Sequence, residues 1–259
     1  LDGHYDSVLG KKVLFINIGS QASELSGSSR ASKWMILQQA IQEARERPRN
    51  GEQRLLSERG RISLNKLVKE GIIIFSVNRA SDILQCIKFV NQHTIDAMIH
   101  GGAEAWMVAK ELAKSEIPVI LNALSNLPYS FDEIGARLDN AALLDKAGVK
   151  VIFSSGQTQN ARKNRQLAGN AVANGLSNAT ALAALTTNPA IKLGLPSQQI
   201  ALGNIANLVI WSGDPLEITT LADQVILSGK IMPMESRQTR LLQRYLPQNP
   251  EIPRAYIAN

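Results

Sequence analysis

The 259-residue sequence is 44% hydrophobic and 19% charged, which is apolar enough to bury a sizeable core and excludes an intrinsically disordered chain. The formal net charge is +6, but the densest basic stretch, residues 45–61, also contains three glutamates. Such mixed charge indicates a solvated helix face, so we predict no nucleic-acid partner. No apolar run approaches the roughly 18 residues of a membrane span, so we predict no membrane insertion. The single cysteine, Cys86, excludes an internal disulfide and fits cytoplasm or periplasm equally.

Short apolar runs rich in β-branched residues recur along the first 155 residues, and stretches of helical periodicity lie between them. This alternation predicts parallel strands joined by helices, with both faces of the sheet covered. The predicted strands are residues 13–18, 71–77, 95–100, 117–123 and 149–155. The predicted helices are residues 29–47, 62–69, 81–92, 103–115 and 132–147. The pattern therefore predicts an α/β fold, a (β/α) barrel of TIM type with about five units, whereas a closed barrel needs eight.

Acidic and hydroxyl residues stand at the starts of two of these helices. Ser81 and Asp82 are predicted to cap the third helix, and Asp132 with Glu133 to occupy the positive end of the fifth.

The pattern changes after residue 155. An alanine-rich helical region at about 160–187 precedes two apolar segments, 205–211 and 223–233, with Ser228-Gly229 as a hairpin turn. These segments predict a small β-sandwich appendage, and a short helix followed by a proline-broken extension completes the chain. The predicted divisions are a partial barrel at 1–195, the appendage at 196–236, and a C-terminal helix and tail at 237–259.

Polar residues close each predicted strand, at the edge where parallel barrels carry their reactive groups. From the residues alone, they are either a ring of ligand-binding groups or turn formers that simply end strands. They are Asn17, Gly19 and Ser20, then Asn78 and Arg79, then His100, Gly101 and Gly102, then Asn122 and Ser125, and finally Ser154, Ser155 and Gly156.

His100 is the strongest single candidate for a metal ligand because two glycines follow it at a strand end. A zinc site needs two or three further ligands, and neither His4 nor His93 completes a set. HExxH, CxxC and GxSxG motifs are absent. A serine nucleophile, Ser154 or Ser155 with His100 as base, is an alternative that lacks a third group to orient the histidine.

Three segments together resemble the metal-dependent amidohydrolase superfamily, in particular its imidazolonepropionase-like and prolidase-like branch. They are ALAALTTNPAIKLGLPSQQIALGNIANLVIWSGDPLE, SVNRASDILQCIKFVNQHTIDAMIHGGAEAW and VKVIFSSGQTQNAR. The resemblance covers most of residues 70–245 and, more loosely, 10–70. Asn207 is a departure, because the family usually has aspartate there.

The resemblance implies a hydrolase of non-peptide or cyclic carbon-nitrogen bonds that uses zinc or another divalent metal to activate water. By resemblance His100 matches the histidine of the sixth strand, and Asn78 stands where the fifth strand supplies another. Ser155 or Gly156 takes the place of the catalytic aspartate, and the first strand's HxH pair has no counterpart. Asparagine and serine bind divalent ions only weakly, so we predict a degenerate site with weak or absent metal and an altered or lost activity.

Small-molecule binding is the role predicted for the other strand-end residues. The predicted ligand is a small polar molecule, and its predicted binding residues are Asn17, Asn78, Arg79, Gly101, Asn122 and Ser154. The alternative function is a metal-free binding or scaffold subunit that completes a barrel with another polypeptide. Because the chain begins at Leu1 and lacks barrel strands, we expect a fragment or processed product, with unpaired strand edges that favour a complementary polypeptide or a homo-oligomer.

Overall fold

Five parallel strands lie side by side in the order of the chain in the computed structural model, which describes residues 10–20, 29–46, 54–125, 127–196 and 199–246. All five predicted strands are present. They are β1 (Val13–Asn17), β2 (Ile72–Val77), β3 (Ala97–Gly101), β4 (Val119–Leu121) and β5 (Val151–Phe153). The described strands form an open sheet that is compatible with part of a βα barrel, and closure of that barrel stays a prediction.

Helices follow or separate these strands, as the alternation predicts. They are α1 (Arg30–Arg45), α2 (Glu58–Glu70), α3 (Ala80–His93), α4 (Ala109–Lys114), α5 (Asn140–Lys146), α6 (Asn164–Ala173), α7 (Asn178–Leu185) and α8 (Thr187–Leu193). Serine side chains cap the N-termini of three of them: Ser29 on α1, Ser57 on α2 and Ser177 on α7. Each hydroxyl satisfies a backbone N–H group that the first helical turn leaves without a partner.

The main core lies between the helices and one face of the sheet. Phe75 of β2 is fully buried there, with ring centroids 6.3 Å from Trp34 of α1 and 6.1 Å from Phe89 of α3. A smaller cluster lies on the opposite face and consists of Ile72, Ile74, Met98, Ile120 and Ile152, with Val13 and Leu193 packed against it. Because side chains alternate along a strand, the next residue on this second face of β2 is Ser76, and that of β3 is His100.

Two predicted helix starts are wrong because charged side chains found distant partners. The helix predicted from residue 132 begins at Asn140, and Phe131–Glu133 forms a 3₁₀ turn in which Asp132 pairs with Arg30. Residue 79, not Ser81 or Asp82, is the N-cap of α3, and Asp82 also pairs with Arg30.

Two other predicted helices are divided. The stretch 103–115 starts as a 3₁₀ turn at Ala105–Val108 before α4, and the alanine-rich region is interrupted where Gly175 adopts φ +100°.

Three antiparallel strands follow: β6 (Leu208–Trp211), β7 (Ala222–Leu227) and β8 (Lys230–Ile231). The predicted turn joins β7 to β8, and Ser228 and Gly229 both have positive φ, 50° and 77°, as a two-residue hairpin of type I′ requires. The Arg165 guanidinium of α6 lies 4.6 Å from the Trp211 ring centroid, which ties this sheet to the helices. Its pairing into a sandwich stays a prediction.

The last described helix is α9 (Arg237–Tyr245), which begins at a capping box formed by Ser236 and Thr239. The predicted extension beyond it lies outside the described residues. Across the described ranges, no helix has both the length and the apolar character that crossing a membrane demands.

Candidate functional site

A cavity of about 440 Å³ lies at the C-terminal edge of the five-stranded sheet. This volume is in the range of sites for small molecules. The C-terminal ends of β1 to β4 and the residues just after each of the five strands line its wall, and the segment 129–141 contributes the remainder. The predicted site residues that line it are Asn17, Asn78, His100, Gly101, Asn122, Ser154 and Ser155. Arg79 is the exception, because it stands outside this lining as the N-cap residue of α3.

Ser76 and His100 form a pair on the cavity wall. The two residues are opposite each other in the β2–β3 register, and Ser76 Oγ lies 3.2 Å from His100 Nδ1. Burial lowers the pKa of His100, so the imidazole is neutral at pH 7. Among the described residues Nε2 has no hydrogen-bond partner, so this nitrogen remains for a group in the cavity. Ser76 was not among the predicted site residues, although a hydroxyl inside the apolar run IIIFSV could have indicated a polar site.

Gly101 holds the backbone next to His100 in a conformation that few other residues adopt. Its φ is +95°, and a Cβ placed on it would lie 2.4 Å from Asn78 Oδ1. That same oxygen accepts the N–H of Ala103 at 3.3 Å. The glycine therefore permits both the positive φ and the close approach of the Asn78 side chain.

Replacing Gly101 with alanine is expected to lower the free energy of unfolding by ~1–3 kcal/mol, because the methyl group meets Asn78 and the backbone is strained. Gly148→Ala is the matched control, since Gly148 has φ +90° but nothing within 4 Å of the added Cβ. The Gly148→Ala variant therefore measures the backbone strain alone, which is about 1 kcal/mol. Urea titrations measure both, and equal losses would show that the contact with Asn78 is unimportant.

Arg30 forms ion pairs with two acidic residues, one of which lines the cavity. Its guanidinium pairs with Asp132, and its Nε lies 3.0 Å from Asp82 Oδ2, an ion pair without the alignment of a hydrogen bond. Burial is the largest influence on Asp132, but hydrogen bonds from Ser20 and the charge of Arg30 outweigh it and lower the pKa of Asp132. In Asp82 burial prevails and raises the pKa. Arg30 thus connects α1, α3 and the segment that follows β4.

Lys33 donates hydrogen bonds to the backbone that follows β1. This buried ammonium donates to the carbonyl oxygens of Gly19, at 2.6 Å, and Ile18, at 3.4 Å. The lysine therefore stabilises the backbone that follows Asn17.

The segment after β4 brings further polar side chains to the cavity, among them Glu133, Arg137 and Asn140, and none of these three was a predicted site residue. Glu133 Oε1 accepts Nδ2 of Asn78 at 2.9 Å. Asn140 donates through Nδ2 to the Gly102 carbonyl at 2.9 Å. Arg137 pairs with Asp139 and stacks 4.5 Å above the Trp106 ring. No local signal marked these residues, because long-range contacts bring them to the strand ends.

One family model gives the decisive comparison: that of the amidohydrolase family matches residues 30–232. The chain belongs to the amidohydrolase family. The resemblance found in the three sequence segments is therefore confirmed. No curated protein sequence matches this amidohydrolase-family chain significantly.

One solved structure has the same fold as this amidohydrolase-family chain, and two others match it at lower TM-scores. An amidohydrolase from Thermotoga maritima MSB8 has a TM-score of 0.74 at 21% identity, over 85% of this chain and 62% of its own. A prolidase complexed with N-methylphosphonate-L-proline has a TM-score of 0.47 at 17% identity, over 68% and 48%. A β-aspartyl dipeptidase from Fervidobacterium islandicum AW-1 has a TM-score of 0.42 at 18% identity, over 64% and 50%. The chain spans 62% of the length of the Thermotoga protein, and at this identity the likeness establishes the fold alone.

The amidohydrolase resemblance implies a divalent metal, and the described donors do not fit one. Throughout the described ranges, no group of three or more histidine, cysteine, aspartate or glutamate side chains is placed to hold an ion. His100 has Ser76 as its neighbour, a neutral hydroxyl, and Asp132 is already held by Arg30 and Ser20. Zinc sites take three or four nitrogen, sulfur or carboxylate ligands. The degenerate site predicted from Asn78 and Ser155 stays a prediction.

Proposed function

We propose that this amidohydrolase-family protein binds a small polar molecule at the C-terminal edge of its sheet and hydrolyses a non-peptide or cyclic carbon-nitrogen bond in it. The observation that carries the proposal is the neutral imidazole of His100, held at Nδ1 by Ser76 on the wall of a cavity of small-molecule size. Family membership supports the reaction class. The activity and the substrate belong to the proposal.

His100 has the properties of a general base in such a reaction. Nε2 of the neutral ring can take a proton from a water molecule as its oxygen attacks the carbonyl or amidine carbon. The same proton, returned from Nε2 to the departing nitrogen, completes cleavage of the carbon-nitrogen bond. Ser76 is a positioning residue, because its hydroxyl holds the ring through Nδ1.

Amide groups on either side of the histidine supply hydrogen-bond donors for the ligand. Asn17 Oδ1 accepts the N–H of Gly19 at 3.0 Å, and Asn122 Oδ1 accepts that of Leu124 at 3.1 Å. Their Nδ2 groups are therefore the donors that remain for a ligand oxygen. Such donors stabilise the negative charge that develops when water attacks a carbonyl.

Ser155 is less suited to the base role that the resemblance implies. A serine hydroxyl has no basicity near neutral pH, and Ser155 Oγ donates to the Gln157 carbonyl at 3.1 Å. Ser154 Oγ accepts the N–H of Gly156 at 3.1 Å. We therefore assign the base to His100 and propose that Ser154 and Ser155 shape the loop that closes the cavity wall.

Replacing His100 with alanine is expected to reduce turnover by ~100-fold or more, the usual effect of removing a general base. The assay follows ring opening of cyclic imides and hydantoins and cleavage of N-acyl amino acids, with and without added zinc. In the wild-type protein, activity should rise with pH as His100 loses its proton, with a midpoint below that of an ordinary histidine, because burial lowers the pKa of His100.

Glu111→Gln is the control for this experiment, since Glu111 is an exposed residue of α4 outside the cavity wall. Undiminished turnover in His100→Ala would refute the proposal. Metal analysis of the same proteins tests the degenerate site, because a stoichiometric metal that disappears with His100 would contradict it.

A partner chain is a separate proposal. β1 and β5 are the edge strands of the described sheet, and Phe15 of β1 is 65% exposed. Strand edges of this kind favour pairing with another polypeptide, so we propose a complementary chain or a second copy there. The mass of the native assembly measures it.

A further inference from the structure

The side-chain oxygen of Asn140, Oδ1, accepts no hydrogen bond from the described part of the chain. The side chain is 7% exposed and lines the cavity, and its Oδ1 has no partner among the described residues. The orientation of the amide is determined by Gly102, because its carbonyl oxygen accepts Nδ2 at 2.9 Å. A buried acceptor without a partner costs free energy, and a ligand that supplies an N–H group removes this cost.

Glu133 is a second acceptor on the same wall, and it carries a charge. Its carboxylate accepts one neutral amide N–H from Asn78 at 2.9 Å and the backbone N–H of Tyr129 at 3.4 Å. In the described part of the chain, no lysine or arginine forms an ion pair with it. The neighbouring Asp132, in contrast, forms an ion pair with Arg30.

The remaining charges of the cavity wall do not offset Glu133. Arg137 is already paired with Asp139, and burial keeps His100 neutral at pH 7. Among the described residues, the cavity wall thus holds a carboxylate without an ion-pair partner and an amide oxygen without a donor, which makes the cavity a site for hydrogen-bond donors and positive charge.

We propose that the cavity recognises an amidinium or guanidinium group of its ligand, with Glu133 and the Asn140 Oδ1 atom as the acceptors. This inference rests on the proposed function, because it names the substrate class of the same site. A planar cation with several N–H groups can donate to a carboxylate and to a separate amide oxygen together. Asn78 positions the carboxylate, and it is held in turn by the N–H of Ala103 at 3.3 Å.

The test is a binding measurement that requires no turnover. Isothermal titration of the wild-type protein compares methylguanidinium with methylurea, and acetamidinium with acetamide, so that each pair differs mainly in charge. We expect each cation to bind ~10-fold or more tightly than its neutral partner, as charge-assisted hydrogen bonds predict.

Glu133→Gln is expected to abolish this preference while keeping an oxygen for the Asn78 amide. Glu111→Gln, on the surface of α4, should retain it. Thermal unfolding checks that both variants fold, and the ratio in the wild-type protein is decisive if Glu133→Gln does not. Equal binding of cation and neutral partner, binding of neither, or a preference unchanged in Glu133→Gln would each overturn the inference.

These outcomes are separate from those of the proposed function. A preference for cations that depends on Glu133, found without any turnover, would support this inference and count against hydrolysis. Turnover that depends on His100, found without a preference for cations, would support hydrolysis and count against this inference.

Discussion

Replacing Phe75 with alanine is expected to lower the free energy of unfolding by ~3–5 kcal/mol, the usual loss for a large aromatic side chain in a core. Phe75 is fully buried between β2, α1 and α3, and its ring meets Phe89 edge to face at an interplanar angle of 79°. The truncation removes these contacts and leaves a cavity that the neighbouring helices cannot fill without moving. Urea denaturation followed by circular dichroism measures the loss.

Phe15→Ala is the matched control for Phe75→Ala. Phe15 belongs to β1 of the same sheet, but it is 65% exposed, so its truncation should change stability by less than ~1 kcal/mol. A comparable loss in both variants would contradict the position of the core, and would show that Phe15 is covered in the assembled protein.

Replacing Arg30 with methionine is expected to lower the free energy of unfolding at pH 7 by ~2–4 kcal/mol, because two buried carboxylates lose the cation that they share. The expected loss of stability is smaller than for a fully buried ion pair, because 33% of the Arg30 side chain is exposed and solvent screens its charge. The variant retains most of the side-chain volume, so the loss reports mainly the charge.

The loss in Arg30→Met should depend on pH. Burial raises the pKa of Asp82, and the charge of Arg30 limits that rise; the same charge helps to lower the pKa of Asp132. Removal of Arg30 should therefore raise both values in the folded protein. Protonation then neutralises the unpaired carboxylates as the pH falls through those raised values, and the difference from wild type should shrink in acid. Urea titrations at several pH values measure this dependence.

Arg61→Met is the control, because Arg61 forms its ion pair with Glu58, one turn away on the same helix α2. Such surface pairs contribute little, so a small effect that does not vary with pH is expected. A loss in Arg30→Met that stays constant down to acid pH would show that the Asp82 and Asp132 pairs are unimportant.

The two adjacent acids of the segment after β4 illustrate how distant contacts assign separate roles to neighbouring residues. Asp132 and Glu133 are adjacent in the sequence, and both were predicted to lie at the start of the same helix. Arg30, 102 positions away, forms an ion pair with Asp132. Glu133 accepts a hydrogen bond from the neutral amide of Asn78 and forms no ion pair with any described residue.

The sequence by itself determined the strands, the polar edge and the family. The strands are short apolar runs whose conformation follows from local sterics and burial, and the polar residues that close each run mark the C-terminal edge of the sheet. The turn at Ser228-Gly229 is equally local, since it depends on two residues that tolerate positive φ. The family resemblance arose from contiguous segments, which require no knowledge of the fold.

Only the tertiary structure decided which polar groups meet. The Ser76–His100 pair depends on the β2–β3 register, and the cavity wall depends on a segment that joins the strand ends after leaving β4. The same contacts explain why the cap predicted at Asp82 and the helix predicted from Asp132 are wrong, since an ion pair with Arg30 outweighs a local preference. Periodicity reports which face a residue occupies, whereas register and ion pairs between distant elements decide what it touches.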